Sequence, residues 1–152
     1  MEVRKSRSAK ETACIAAQFL KAILRKKEYP VVLALSGDLG SGKTTFVQAL
    51  ARGLGLKEKI QSPTFVLAKW YSLAKRLAPL RHFVHIDAYR IDSPAEAKHI
   101  GILEAIHDRE ALVVIEWADR VRRLIPKKAI WIYFVHGPKN KRVIRYEATR
   151  FN

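Results

Sequence analysis

The stretch Val31–Thr45, VVLALSGDLGSGKTT, constrains the fold more than any other part of the chain. Val31 to Leu35 is an apolar run with the length of a buried strand. It breaks at Gly37-Asp38-Leu39-Gly40-Ser41-Gly42-Lys43-Thr44, which fits G-x-x-x-x-G-K-[ST] at every fixed position. Thr45 to Ala51, TFVQALA, then carries the apolar spacing of a helix. A strand, a glycine-rich loop and a helix in that order form a phosphate cradle. The glycines let backbone N–H groups converge on an anion, and the helix N-terminus behind them favours negative charge. The loop from Gly37 through Asp38, Leu39, Gly40, Ser41 and Gly42 to Lys43, Thr44 and Thr45 is therefore the expected nucleoside triphosphate site. Lys43 is expected to reach the β- and γ-phosphates, and the Thr44 hydroxyl to ligate Mg²⁺.

The rest of the chain reads as elements built around this unit. Ser8-Ala9-Lys10-Glu11 fits a capping box, and Ile15, Ala16, Phe19, Leu20 and Ile23 share one helical face, which predicts a helix over 9–26. Thr12, in its first turn, is either near a nucleotide base or a solvent-facing helix residue. Strand-like runs follow at VLAKWYSL, at Arg81 to Asp87, at Leu112 to Ile115, at Ala129 to Val135 and at Arg142 to Ala148. Short helices are expected after Ser93-Pro94-Ala95-Glu96, around Ile102–His107 and, less regularly, at Arg120 to Leu124. Gly137-Pro138-Lys139-Asn140 marks a hairpin turn. Strands alternating with helices, then a terminal hairpin, predict an α/β three-layer P-loop fold. Its mixed sheet should be parallel at the centre, with antiparallel C-terminal edge strands.

Composition bounds the reading. The 152 residues suit a single domain, and 49% hydrophobic residues are enough for a core. No apolar run approaches the roughly 18 residues of a membrane helix, and no signal-peptide pattern opens the chain, so a cytoplasmic protein with no membrane partner is expected. The single Cys14 excludes an internal disulfide framework and is expected in the core. A net charge of +15, dispersed along the chain, suits polyanionic partners, so direct contact with tRNA through a basic surface is an open expectation.

In such sheets ligands bind at the carboxyl ends of the strands, which places Gly37, Asp87 and Glu116 on one rim. Asp87 follows FVHI and Glu116 follows ALVVI. From spacing alone, either acid can hold Mg²⁺ while the other orients the attacking water or the metal's surroundings. Thr64, in Ser62-Pro63-Thr64, has the character of a switch hydroxyl that senses the γ-phosphate. His85 is a general base, a polar anchor or a structural histidine. Arg90 either stabilises charge on the γ-phosphate or pairs with Asp92. Trp117 is core or a stacking surface.

Four pieces in this order, GDLGSGKTTF, SPTF, HIDAYR and VVIEW, resemble the TsaE (YjeE-like) family of small bacterial P-loop ATPases. The likeness spans nearly the whole chain. It departs mildly from the family pattern at Ile91, after HIDAYR, and at Ser41. The resemblance implies ATP and Mg²⁺ as cofactors and slow hydrolysis alone. It implies action on the TsaB–TsaD complex, which transfers a threonylcarbamoyl group to tRNA adenosine, without catalysis of that transfer. It further implies that Lys43 holds phosphates, Thr44 and Glu116 ligate Mg²⁺, Asp87 is the essential acid near the γ-phosphate, and Thr64 is switch-like. A small-molecule kinase, with Arg120, Arg122 and Arg123 as lid arginines, and a nucleotide-gated RNA-binding module are the rival readings.

Overall fold

A computed structural model of the chain describes residues 1–58, 60–61, 67–137 and 141–147. The elements run β1 (Glu2–Ser6), α1 (Ala9–Lys26), β2 (Val31–Gly37), α2 (Lys43–Gly53), β3 (Ala68–Ser72), β4 (His82–Asp87), α3 (Pro94–His99), α4 (Ile102–His107), β5 (Ala111–Glu116), β6 (Ile130–His136) and β7 (Arg142–Tyr146). Short 3₁₀ segments lie at Lys75–Leu77 and Ala118–Leu124. The seven strands form one sheet in the order β1-β7-β6-β2-β5-β4-β3. β6, β2, β5 and β4 are parallel, while β3, β7 and β1 each pair antiparallel with their neighbour.

Alternation along the central strands divides the core into two layers. Leu33, Leu35, Leu112 and Val114 face a layer built with Phe19 of α1 and Phe46 and Leu50 of α2. Val32, Ala34, Val113 and Ile115 face the opposite side, where Ile102, Ala105 and Ile106 of α4 cover them. Both faces of β2 and β5 are thus buried, which is why their sequences read as continuous apolar runs. The three-layer arrangement is the one expected.

α1 starts where the capping pattern puts it. Ser8 Oγ accepts from Glu11 N at 3.1 Å. Glu11 Oε2 reaches back to accept from Arg7 N at 2.7 Å, one residue before the cap. Cys14 does not join the core: it is exposed. The buried face of α1 is Thr12, Ile15, Ala16, Phe19, Leu20 and Ile23. At about 100° per residue, position 14 falls on the helix face opposite that stripe.

Two further differences concern the edges. β1 has no apolar alternation, yet it pairs in register with β7 from Glu2↔Tyr146 to Ser6↔Arg142. The C-terminal hairpin is antiparallel as expected, but its outer edge is covered. Backbone pairing, supplemented by Tyr146 Oη donating to Glu2 Oε2 at 2.6 Å, holds this strand instead of side-chain burial. Of the stretch 66–73, residue 66 lies outside the described residues and β3 takes Ala68–Ser72. Gly137 N donates to Lys141 O at 2.7 Å and closes the hairpin, whose turn at 138–140 lies outside the described residues.

Phe46 fixes the phosphate-loop helix against the sheet. Its ring meets Phe19 edge-on at 5.4 Å and Phe134 at 5.5 Å between centroids, and it is fully buried. Phe46→Ala should lower the unfolding free energy by about 3–5 kcal/mol. Urea denaturation measures this, and a midpoint within error of wild type would show that the α2–sheet contact does not hold the fold.

Candidate functional site

The site begins where β2 runs out of space. Gly37 has φ +141°, and a Cβ there would lie 2.2 Å from the Phe134 carbonyl oxygen, so only glycine lets β2 pass β6 this closely. The chain then turns, with Ser41 N donating to Asp38 O at 3.2 Å, and enters α2 at Lys43. Thr44 and Thr45 form the helix's first turn, where N–H groups have no partner within the helix.

Lys43 is almost fully buried. Its Nζ donates to Gly37 O at 2.6 Å and Asp38 O at 2.8 Å, and lies 4.0 Å from the centroid of the Trp117 ring. Burial pushes the ammonium's pKa down, while the carboxylates of Glu116, Asp87, Asp119 and Asp38 pull it back up. This is a desolvated cation folded onto the phosphate loop, and an arriving anion would compensate it.

The two rim acids sit side by side. β4 and β5 pair in parallel with Asp87 opposite Glu116, and β2 puts Leu35 opposite Glu116. Glu116 is 2% exposed. Its Oε2 accepts from Thr44 Oγ1 at 2.9 Å and its Oε1 from His85 Nε2 at 2.8 Å. His85 is fully buried, and its Nδ1 has no hydrogen-bond partner among the described residues. Hence the tautomer with its proton on Nε2 fits, and of the three readings His85 takes that of polar anchor for Glu116. Asp87 is also buried, and its Oδ1 accepts from Tyr89 N at 2.9 Å. Spacing left the two acids interchangeable; the structure separates them, since Glu116 alone meets the Thr44 hydroxyl.

These groups border one cleft of about 340 Å³, which also takes in Leu39, Gly40, Thr45, Tyr89 and Arg142. A larger cavity, about 490 Å³, lies at the opposite ends of the strands beside Tyr29 and Ile130 and contains none of the loop residues. Chemistry, not size, identifies the site.

Of the other predicted residues, Thr12 is not brought to the cleft and is not solvent-facing either. It is fully buried, its hydroxyl 2.8 Å from Ser6 Oγ and donating to Ser8 O at 3.2 Å. Thr64 lies outside the described residues. Ser41 is fully buried, and its hydroxyl has no hydrogen-bond partner among the described residues. Arg90 is exposed and does not border the cleft, while Asp92 accepts from Arg120 at 3.0 Å. Tyr89 and Arg142 were missed as site residues. Tyr89 packs against Trp117 at 4.9 Å, and its place inside HIDAYR was the available signal. Nothing in the sequence near Arg142 points to the loop.

Comparison with known proteins fits this geometry. The sequence model of the family described as "Threonylcarbamoyl adenosine biosynthesis protein TsaE" matches residues 6–144. This chain belongs to the TsaE family. The TsaE of Treponema pallidum is 37% identical over 127 residues, covering 84% of this chain and 86% of that protein. The TsaE of Rickettsia typhi is 33% identical over 145 residues, covering 95% and 93%. The crystal structure of Bacillus subtilis YdiB superposes with a TM-score of 0.69 at 26% identity, covering 95% of this chain and 83% of that one. The family match runs from the end of β1 into β7, so the whole phosphate loop and both rim acids fall within the TsaE pattern.

The donor set suits Mg²⁺. The Thr44 hydroxyl and the Glu116 carboxylate, 2.9 Å apart, are hard oxygen donors of the kind Mg²⁺ prefers. No group of three or more His, Cys, Asp or Glu among the described residues could hold a metal by itself. The ion would need phosphate and water oxygens as well, as Mg²⁺ at nucleotides does. Glu116→Gln should weaken ATP binding in Mg²⁺ by about tenfold or more while leaving the affinity in EDTA within about twofold. Titration calorimetry distinguishes the two, and equal loss in both buffers would exclude Glu116 as a metal ligand.

Proposed function

We propose that this chain is a Mg²⁺-dependent ATPase of tRNA threonylcarbamoyladenosine biosynthesis. It works as one domain in the cytoplasm, hydrolyses ATP slowly alone, and acts on the TsaB–TsaD transferase complex without forming the threonylcarbamoyl bond itself. The observation that carries this reading is the convergence of Lys43, Thr44, Glu116 and Asp87 on one cleft in a TsaE-family chain. Among the described residues no helix is long and apolar enough to cross a membrane.

The chemistry assigns each residue a task. Lys43 leaves its carbonyl partners and holds the phosphates, neutralising charge as the γ-phosphoryl group departs. Thr44 and Glu116 would hold Mg²⁺, which when bound neutralises charge on the phosphate oxygens. His85 donates to Glu116 and so fixes which of its oxygens faces Thr44. Asp87, next to Glu116 but not hydrogen-bonded to Thr44, orients the attacking water. Thr64 is proposed from sequence alone as the hydroxyl that reports the γ-phosphate. Trp117 and Tyr89 form an apolar wall beside Lys43 that limits access of bulk water.

Asp87→Asn should retain ATP binding and lose hydrolysis by about 10²-fold or more. Unchanged turnover would move the catalytic role to another group. The functional test is the ATPase rate of the chain alone, then with purified TsaB and TsaD, then with tRNA. A low basal rate that rises several-fold with the protein pair is expected. No response to the pair, combined with tight, salt-sensitive tRNA binding, would favour an RNA-binding module, the reading that the +15 charge also fits.

A further inference from the structure

One face of the sheet carries rings and cations beyond the reach of either core layer. On the side where α4 packs, the apolar layer takes in β4, β5 and β2 and ends at Trp131 of β6. Farther along the sheet, Tyr133, Val135, Val143 and Val3 belong to neither layer. They alternate with Ile132, Phe134, Ile144 and Tyr146, which are buried in the layer that α1 and α2 cover. Strand register sets the open residues in two rows. Tyr133 of β6 stands opposite Arg145 of β7, and Arg145 opposite Val3 of β1. Val135 stands opposite Val143, and Val143 opposite Lys5. Val3 is 53% exposed and Val135 41%, and Lys5 and Arg145 are exposed too.

The rings are already arranged for stacking. Trp131 and Tyr133 lie 6.0 Å apart between centroids and within 16° of parallel, and the Arg122 guanidinium sits 4.8 Å over the indole. The two charged residues in the rows are both positive, and neither Lys5 nor Arg145 has an ion-pair partner among the described residues. Glu2, the acid of β1, serves the other face by accepting from Tyr146, and Glu147 lies past the last paired residue of β7. Rings that take base planes, flanked by cations that take phosphates, make an open sheet face a platform for single strands. A duplex keeps its base planes stacked inside and would offer none to Tyr133.

We propose that this face binds a single-stranded segment of RNA. An unpaired base stacks on Tyr133 and extends the ladder of Arg122, Trp131 and Tyr133, while Arg145 and Lys5 hold the phosphates. Part of the +15 charge then has a task on the fold. The choice of RNA rests on the biosynthetic role proposed above; the stacking surface itself needs no bound nucleotide.

The test is fluorescence anisotropy of a labelled single-stranded RNA of about 12 nucleotides, titrated with the full chain. Wild type should bind it several-fold more tightly than an RNA duplex of equal length. Tyr133→Leu should lose about fivefold or more, while Tyr133→Phe, which keeps the ring, should match wild type. Arg145→Ala should weaken binding and lower the slope of log Kd against log salt by about one. Lys21→Ala, at an exposed lysine of α1, controls for the lost charge and should stay within about twofold of wild type. Wild-type affinity in Tyr133→Leu, equal affinity for duplex and single strand, or tighter binding of DNA of the same sequence would overturn the inference. Cross-linking of the wild type by RNA carrying thiouridine does not depend on how any variant folds. It should label the peptide that holds β6, and labelling confined to the phosphate-loop cleft would overturn the inference as well. So would a chain that binds no RNA and forms a dimer in sedimentation that Tyr133→Leu abolishes, which would give the face to a second copy. A chain that binds RNA here but no ATP would overturn the ATPase reading and leave this one standing.

Discussion

The rim depends on how a carboxylate can be kept almost dry. Glu116 is 2% exposed, and an unpaired charge at that depth would be prohibitive. Two donors meet it, the Thr44 hydroxyl from α2 and the His85 imidazole from β4, one on each oxygen. Because the two donors and the carboxylate come from three different elements, α2, β4 and β5, their geometry is set by the packing of the core and not by the site. Phe46 locks α2 to the sheet, and the parallel β4–β5 register brings His85 across from Val114, two residues before the carboxylate. The carboxylate's position is thus a consequence of the apolar layers beneath it.

The same packing explains why Lys43 rests where it does. Its side chain is almost fully buried, and among the described residues its Nζ donates to the carbonyls of Gly37 and Asp38 in the loop itself. The Trp117 face, 4.0 Å away, gives partial compensation without offering a competing ion pair. Trp117 itself sits at φ +57°, a left-handed conformation unusual for an aromatic residue. That turn follows Glu116 at once and presents the ring to the cleft.

The central unit was legible because it obeys local rules. β2, the loop and α2 were apparent from an apolar run, fixed glycines and helical spacing, and α1 from its cap and stripe. The β5 acid was visible for the same reason, as the first polar residue after five buried ones. What could not be read depends on distant pairing. β1 is a polar pentapeptide whose strand conformation exists only because β7 offers an edge. Arg142 gains its meaning from two strand crossings that bring it to Gly42, a hundred positions earlier in the chain. Cys14 was misplaced because an apolar character was taken for a position on the stripe, when its angle on α1 decided the matter. Thr12 was placed between ligand and solvent, whereas its hydroxyl closes the junction between β1 and α1.

The unmet interactions of the described residues gather at one end of the sheet. Only Ser41 Oγ and His85 Nδ1 are buried side-chain polar atoms without a hydrogen-bond partner there, and both belong to the rim. Lys43 is pushed toward its neutral form by burial, and Arg142 is half-buried with no acceptor among the same residues. Each is a cost, and elsewhere in the core polar groups are satisfied or excluded. Stability alone would select against such a cluster, since replacing these groups with apolar ones of similar size would remove the penalties. A polyanion with a divalent cation would offset these costs together: its oxygens would accept from Lys43, and Thr44 and Glu116 would hold the cation. The free energy that these buried polar groups cost the fold would then appear as affinity.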